Sequence, residues 1–550
     1  MLGLLFASLA VAVACVAPKD QSWEDRPSSL PDASARTAPV VQRAEAGAAD
    51  AVALQATPPP GPHAARTACG DCHKSAYAQW SGSMHAQALL SPVMIAETNQ
   101  VARGPMADQS DDAKRLCAAC HSPIVATATR GSTLPLTANG AGDEGVGCTT
   151  CHQFNGAPVS GSGGLASGFA AKIDPSAMFA NLSSPVPNSR HASASGKAFK
   201  SPSQLCTNCH DVSFDRNGDG KIVKGVDLVL QTTAEESAKA VAAGDTRTCV
   251  SCHMPLMPSA TRAAESALIP DDQTTAAPDR QVHDHSFVGV DYRLDLPAAK
   301  DPQRAARQKL LAGAAKLVLD EVTPSAPTRV AFKASISNIG ATHNLPTGLA
   351  FTRQMWLEVI VVNKDGNVIL SSGVLADPLS DLCDDATLSE VGSSLVPYLQ
   401  GCSAPDPLLV NFQTKLVDKI DILRDAAQQP VRNADNELIP IQATGGHETV
   451  LQQLTGGAIA RKRPSDGQAQ NPIPPGETRD FTYEIDATGF PAQTLTVSVR
   501  LLFRNLPPYF LRALAARQPK DEVPRLYPLI ANVQTVSMGT ASRSIVFTPR

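Results

Sequence analysis

The sequence predicts a multi-domain chain, with a mainly helical and loop unit followed by an all-β, sandwich-like unit. Three observations carry that reading. At 550 residues and 57.5 kDa the chain exceeds what one hydrophobic core usually organises. A repeated cysteine–histidine pattern is confined to residues 69–253. Beyond about Pro297 the pattern stops and the texture becomes alternating apolar and polar, as in half-buried strands. Composition narrows the class further. Hydrophobic residues at 43% and charged residues at 18% are too apolar a mix for wholesale disorder, yet aromatics are only 4%, against 43 prolines and 37 glycines. Something other than Phe, Tyr and Trp must therefore fill part of the interior. A net charge of -5, from 47 basic and 52 acidic residues, offers no broad cationic surface for phosphates, so nucleic acid is not the expected partner.

The chain opens on Met1 to Ala14, an apolar stretch too short to stay in a membrane as a spanning helix, which reads as an export signal. Ala12-Val13-Ala14-Cys15 resembles a lipobox, implying cleavage before Cys15 and a lipid on its sulfur. The alternative is ordinary cleavage nearby with a free thiol. Residues 15–65, rich in Ala, Pro and Ser, have no sustained period and read as a tether with a reach of roughly 40 Å.

Residues 66–297 contain five copies of Cys-x-x-Cys-His: Cys69, Cys72, His73; Cys117, Cys120, His121; Cys148, Cys151, His152; Cys206, Cys209, His210; and Cys249, Cys252, His253. The spacing suits c-type haem attachment, in which two thioethers tie the porphyrin edge to the chain and the following His ligates iron. A zinc site or redox dithiol does not require His directly after the second Cys. Five haems would leave each with fewer than fifty residues of protein, so the porphyrins themselves would form the core. Covalent haem is attached outside the cytoplasm, which agrees with an export signal.

Distal ligands must come from the other seven histidines. His85 lies twelve residues beyond His73 on a helix expected around Ser75 to Trp80, about 18 Å along the axis if the helix continues, so it would serve a neighbouring haem. His191 stands in the long gap before the fourth motif. His283 and His285 are two apart, on one side of an extended segment, and supply one ligand or two. His343 sits in Thr342-His343-Asn344-Leu345-Pro346 at a strand end, where a loop histidine bonded to a turn is an equal reading. His63 and His447 are read as solvent-exposed. Asp215, Asn217 and Asp219 fit the start of a calcium loop, but Val226 replaces the closing Glu, and an Asx-rich surface turn is the alternative.

Residues 298–550 begin with an expected helix from Pro302 to Leu319, N-capped by Asp301. Alternating runs follow at Val330–Ile339, Trp356–Val362, Phe481–Ile485 and Thr494–Phe503. A hairpin turn is expected at Lys364-Asp365-Gly366-Asn367. Cys383 and Cys402 are expected to form a local disulfide in an oxidising compartment.

Cys69-Gly-Asp-Cys72-His73 with Tyr77, Trp80, Ser83 and His85, then Gly145-Val-Gly-Cys148, Cys249-Val-Ser-Cys-His-Met-Pro255 and His285-Ser-Phe-x-Gly289, resemble multihaem c-type cytochromes related to hydroxylamine oxidoreductase. The elements His343 to Gly348 and Arg353 to Val359 resemble the C-terminal β domain that some of these carry, and the resemblance implies that His343 is a distal ligand. It covers roughly residues 66–360. The tyrosine cross-link and larger haem set of the hydroxylamine enzyme have no counterpart here, so its catalysis is not carried over.

The function expected is transfer of electrons along five haems c, mostly bis-His and of low potential. The alternative is a redox enzyme acting on nitrite, hydroxylamine or nitric oxide at one five-coordinate haem. Haem propionates would bring the net charge to roughly -10, so redox partners should be cationic where they dock. A lipid on Cys15 would place the protein at a membrane, in the periplasm or at the outer membrane.

Overall fold

The protein is seen in a computed structural model that describes residues 69–103, 117–123, 145–155, 174, 176–183, 185, 191–200, 203–214, 228–265, 279–383, 399–402, 404, 406–418, 421–422, 440–441, 449–452, 472–520 and 523–549. The signal and tether readings, Cys15, His63, His447 and the calcium-loop residues Asp215, Asn217 and Asp219 lie outside these residues. No described helix is long and apolar enough to cross a membrane.

The first part of the chain is built of short pieces. Helices α1 (Lys74–Ser81), α2 (Pro92–Arg103), α3 (Cys148–His152), α4 (Ser203–Thr207), α5 (Thr233–Ala242) and α6 (Cys249–His253) alternate with loops and two small strand pairs. Strands β1 (Met178–Ala180) and β2 (Ser193–Ser195) pair in parallel, while β3 (Val212–Phe214) and β4 (Leu228–Gln231) pair antiparallel. Neither pair was legible as a strand, because three or four residues are too few to show a period. Helix α1 stops at Gly82, so His85 lies in the following turns and not on a continued helix.

Helix α7 (Arg304–Ala314) is shorter than the sequence suggested: Ala315 already begins strand β5 (Ala315–Val322). Gln303, not Asp301, is its N-cap residue. The Asp301 carboxylate instead accepts the Gln303 N–H at 3.0 Å and pairs with buried Arg307. Two antiparallel sheets then form. One has the order β13-β6-β5 with β6 (Arg329–Asn338) central and β13 (Thr478–Asp486) at its side. The other has the order β15-β14-β7-β8, with β7 (Gln354–Val362), β8 (Val368–Ser372), β14 (Gln493–Arg504) and β15 (Val536–Phe547). Between β8 and β13, short strands β9 (Lys415–Asp418) and β12 (Thr449–Gln452) pair antiparallel, as do β10 (Asp421–Ile422) and β11 (Pro440–Ile441). The turn between β7 and β8 closes on Gly366, at φ 81°, a conformation that favours glycine.

Period-two alternation explains the packing. Along β14, Leu495, Val497, Val499 and Leu501 are buried while Thr496, Ser498 and Arg500 are not. These side chains meet Phe332, Ile336, Phe481 and Tyr483 of the facing sheet in one apolar core. Each such side chain contributes about 1.5–3 kcal/mol when fully buried. Cys383 and Cys402 are joined by a disulfide, and the segment around it covers the outer face of β7, where Trp356, Leu382, Leu409 and Leu502 cluster. Two helices absent from the sequence reading, α8 (Pro508–Ala516) and α9 (Val523–Ile530), follow β14. They pack with α2, Tyr292 and Phe351 in a second cluster, fastening the first part of the chain to the second. The Gln518 side chain donates to Ala96 O at 3.1 Å across the same contact.

Candidate haem sites

Four pairs of histidine rings face one another through the first part of the molecule. His73 stands opposite His191, His152 opposite His285 and His210 opposite His85, each with centroids 6.3 Å apart. His253 stands opposite His343 at 6.4 Å. These distances fit one metal ion between each pair. Two axial bonds of about 2 Å place the nitrogens about 4 Å apart, and about 1.1 Å from each nitrogen to its ring centre brings the centroids to about 6.2 Å.

The tautomers fit as well. Nδ1–H of His73 donates to Ala263 O at 2.7 Å, His152 to Phe179 O at 2.7 Å, His253 to Val288 O at 2.6 Å and His285 to His283 O at 2.8 Å. His343 donates to Asn344 O at 2.9 Å. A proton fixed on Nδ1 leaves the lone pair of Nε2 free for a metal. Burial, reinforced by neighbouring histidines, pushes His85 down to about 3, and His210 to about 4. For His152, burial likewise outweighs the Phe179 hydrogen bond and brings it to about 4. All three are thus neutral, the form that binds a metal.

The elements explain how these rings come together. Pairing of β1 with β2 sets the Phe179 carbonyl against His152 and leads the chain through His191. His85 is placed by backbone contact with the Gly145 turn: Val146 N donates to His85 O at 2.9 Å, and the Trp80 indole donates to Val146 O at 2.8 Å. A Cβ on Gly145 would lie 2.5 Å from that same carbonyl. His343 follows β6 and is held by α5, where Glu236 accepts from Asn344 N at 3.0 Å and from the Thr347 hydroxyl at 2.6 Å. Arg247 adds a bond to Gly340 O at 2.9 Å.

A continuous cavity of about 2810 Å³ runs past every one of these rings and nine of the ten motif cysteines, Cys117 being absent from its lining. That is well above the roughly 300–1,000 Å³ of a single-ligand pocket. Its walls are the motif segments themselves, which is the space that several covalently held porphyrins need. Zinc fits less well. Burial pushes Cys117 and Cys151 up to about 11, keeping both as thiols, and no group of three or more His, Cys, Asp or Glu among the described residues is arranged to hold a metal ion.

Neighbouring motifs touch. The thiols of Cys120 and Cys209 hydrogen-bond each other, as do those of Cys206 and Cys249. Cys151 lies near enough to Cys206 and Cys209 to affect both electrostatically, and His73 and His191 do the same to His152. The fourth motif therefore adjoins the second, third and fifth, and the third adjoins the first.

The second motif differs from the others. His121 Nδ1–H donates to Ala88 O at 2.9 Å, but no such ring pair includes His121 among the described residues. His283 forms no such ring pair with a motif histidine among the described residues. Its Nδ1–H donates to Met254 O at 2.6 Å and its backbone bridges Leu256, while of the two it is His285 whose ring meets a motif histidine, His152. Near the second motif lie groups that sequence reading did not single out. Glu97 of α2 is pushed up to about 7 by burial, a shift opposed by Arg353 and reinforced by Asp291. Arg353 pairs with Asp291 at 2.7 Å and donates to Asn505 O at 2.7 Å, while its Nε and Asn505 Oδ1 have no partner. A lone Glu within an apolar helix was the available signal for Glu97.

Residues 68–153 match the family model described as cytochrome c554 and c-prime, a stretch that spans the first three motifs. No curated protein matches the chain. Among solved structures, a penta-heme cytochrome c552 from Thermochromatium tepidum is similar at 18% sequence identity, with 88% of this chain and 99% of that chain covered and a TM-score of 0.48. The family match and the five repeats support a multihaem cytochrome of the c type that carries haem iron and transfers electrons. The match does not extend to the β-rich part, nor to any kinship with hydroxylamine oxidoreductase.

Proposed function

We propose that the chain is an electron-transfer cytochrome with five covalently attached haems c, numbered here by motif: haems 1, 3, 4 and 5 held between two histidines, and haem 2 bound by His121 with its other face open. The observation that carries this is the recurrence of the 6.3–6.4 Å ring spacing at four separate places. Haem iron changes oxidation state by one electron, and bis-His ligation without a methionine keeps its potential low. The protein supplies the rest. Carbonyl acceptors fix the ligand rings, and the contacts between motifs would set the haems beside one another in a branched order: 1 to 3, 3 to 4, and 4 to both 2 and 5.

The reading extends to export, with a signal in residues 1–14, a lipid on Cys15 and a tether through residue 65. With propionates added to a net charge of -5, electron donors and acceptors are expected to be cationic at their docking faces, and salt should slow the encounter.

One observation favours a second reading. The open face of haem 2 lies in the same region as Glu97, Asp291 and Arg353, a set able to hold a proton and a charge next to a bound small molecule. That arrangement suits a redox enzyme acting on nitrite, hydroxylamine or nitric oxide. The spin state of the reduced holoprotein decides between the two, recorded with and without carbon monoxide. One high-spin haem that binds carbon monoxide supports the open second site and admits the enzyme. Complete indifference, with all haems low-spin, removes the enzyme reading and requires a sixth ligand for haem 2.

A further inference from the structure

The His85–His210 pair differs from the other three in two independent ways. Its rings cross at 66°, whereas His73–His191, His152–His285 and His253–His343 lie within 26°, 22° and 23° of parallel. His85 also makes no hydrogen bond through its ring nitrogens among the described residues. The Nδ1 atoms of His73, His121, His152, His253, His285 and His343 all meet carbonyls, and that of His210 lies 3.2 Å from the Gln231 side-chain amide. An N–H that donates makes the opposite nitrogen more basic and fixes the plane of the ring. No described residue exerts either effect at His85, where the packing of Phe287 bears on the plane.

The packing residue is Phe287. Its ring meets His85 edge to face, with centroids 4.5 Å apart at 70°, and lies 6.0 Å from His285 at 88°. It holds this position with φ 48°, in the left-handed region and the only such non-glycine residue described. The surroundings fix that conformation. His285 N donates to Gln79 Oε1 at 2.9 Å, the Gln303 side chain donates to Ser286 O at 2.6 Å, and Val288 O accepts from His253 at 2.6 Å. Residues 285 to 288 thereby touch a ligand of haem 3, a ligand of haem 4 and a ligand of haem 5.

We propose that haem 4 is the electron-collecting junction of the chain, the highest in potential of the four bis-His haems, and that Phe287 is the positioning residue that sets the His85 plane across that of His210. The inference rests on the haem assignment above. A less basic axial ligand favours the ferrous state relative to the ferric, as does a crossed arrangement of ligand planes. Haem 4 adjoins the second, third and fifth motifs, so an electron leaving any of those haems reduces it directly. The donor haem is oxidised, and no bond is made or broken.

Electron paramagnetic resonance of the holoprotein during a stepwise dithionite titration tests this, because crossed imidazole planes give a ferric low-spin signal of large g-max and parallel planes give rhombic ones. The expected result is one large-g-max species among three rhombic ones, with the large-g-max species lost first on reduction. Phe287→Leu should move that signal into the rhombic envelope with haem content and low-spin character unchanged, and Phe287→Tyr should retain it. Four rhombic signals in the native protein, loss of the large-g-max species last, or its survival in Phe287→Leu would each overturn the inference. Should Phe287→Leu fail to accumulate, the native titration and Phe287→Tyr decide alone. A complete absence of low-spin haem signals would overturn the haem assignment itself, which is a different failure from four rhombic signals.

Discussion

The two parts of this chain make their interiors from different material. Between the sheets of residues 315–547, Phe332, Ile336, Leu357, Val499, Phe481 and Tyr483 are almost wholly shielded and pack against one another. Among the described residues between 69 and 295 buried apolar side chains are few and scattered, and a cavity there is lined by cysteines and histidines. The difference teaches that one part encodes its core in side chains and the other leaves it to a prosthetic group.

The largest test of that contrast is to withhold haem. Protein made without covalent haem attachment should lose protease resistance across residues 69–295 while a fragment from about residue 300 onward survives, as read by limited proteolysis with mass spectrometry. Equal resistance in both parts would show that the first part has a core of its own. Next in size, Phe481→Ala should cost the sandwich about 3–5 kcal/mol in denaturant titration while leaving the spectra of haems 1 to 4 unchanged. A change at those haems would mean that the two interiors are one cooperative unit.

His343 is where the parts meet, since a loop of the sandwich supplies the ring opposite His253. His343→Ala is expected to convert haem 5 to high spin and to raise carbon monoxide binding from one haem per chain to two. An unaltered spectrum would show that His343 is not a ligand. The smallest effect concerns protons. Glu97 is neutral below about pH 7 and gains a negative charge above it, so the midpoint potential of haem 2 should fall as pH rises through that range. Spectroelectrochemical titration should show this slope in the native protein and a flatter one in Glu97→Gln. Equal slopes would place Glu97 too far from the iron to matter.

What could be read in advance divides along the same line. The attachment motifs are local, because thioether chemistry needs two cysteines and a histidine within five residues, and Cys69 to His73 declares itself without a fold. The strands declare themselves by period, as Leu495 to Leu501 do. Ring pairing is not local. His73 meets His191 and His152 meets His285 through contacts between segments far apart in sequence. For His283 and His285 the period-two rule put both on one side, but each ring nitrogen takes a different carbonyl and only one ring reaches a motif histidine. Helix α8 goes unread although Pro507-Pro508 ahead of an apolar run is a helix-start signal, since the sequence reading takes residues 298–550 as all-β and names no element after Phe503. The left-handed Phe287 carried no sequence signal, because nothing in His-Ser-Phe-Val-Gly demands that conformation.

The most direct measurement of the central claim is the intact mass of the mature holoprotein together with its pyridine haemochrome spectrum. Five haems bound by thioethers through the ten cysteines of the repeats is the result expected. A colourless protein with those ten thiols free, or holding zinc, would contradict the account.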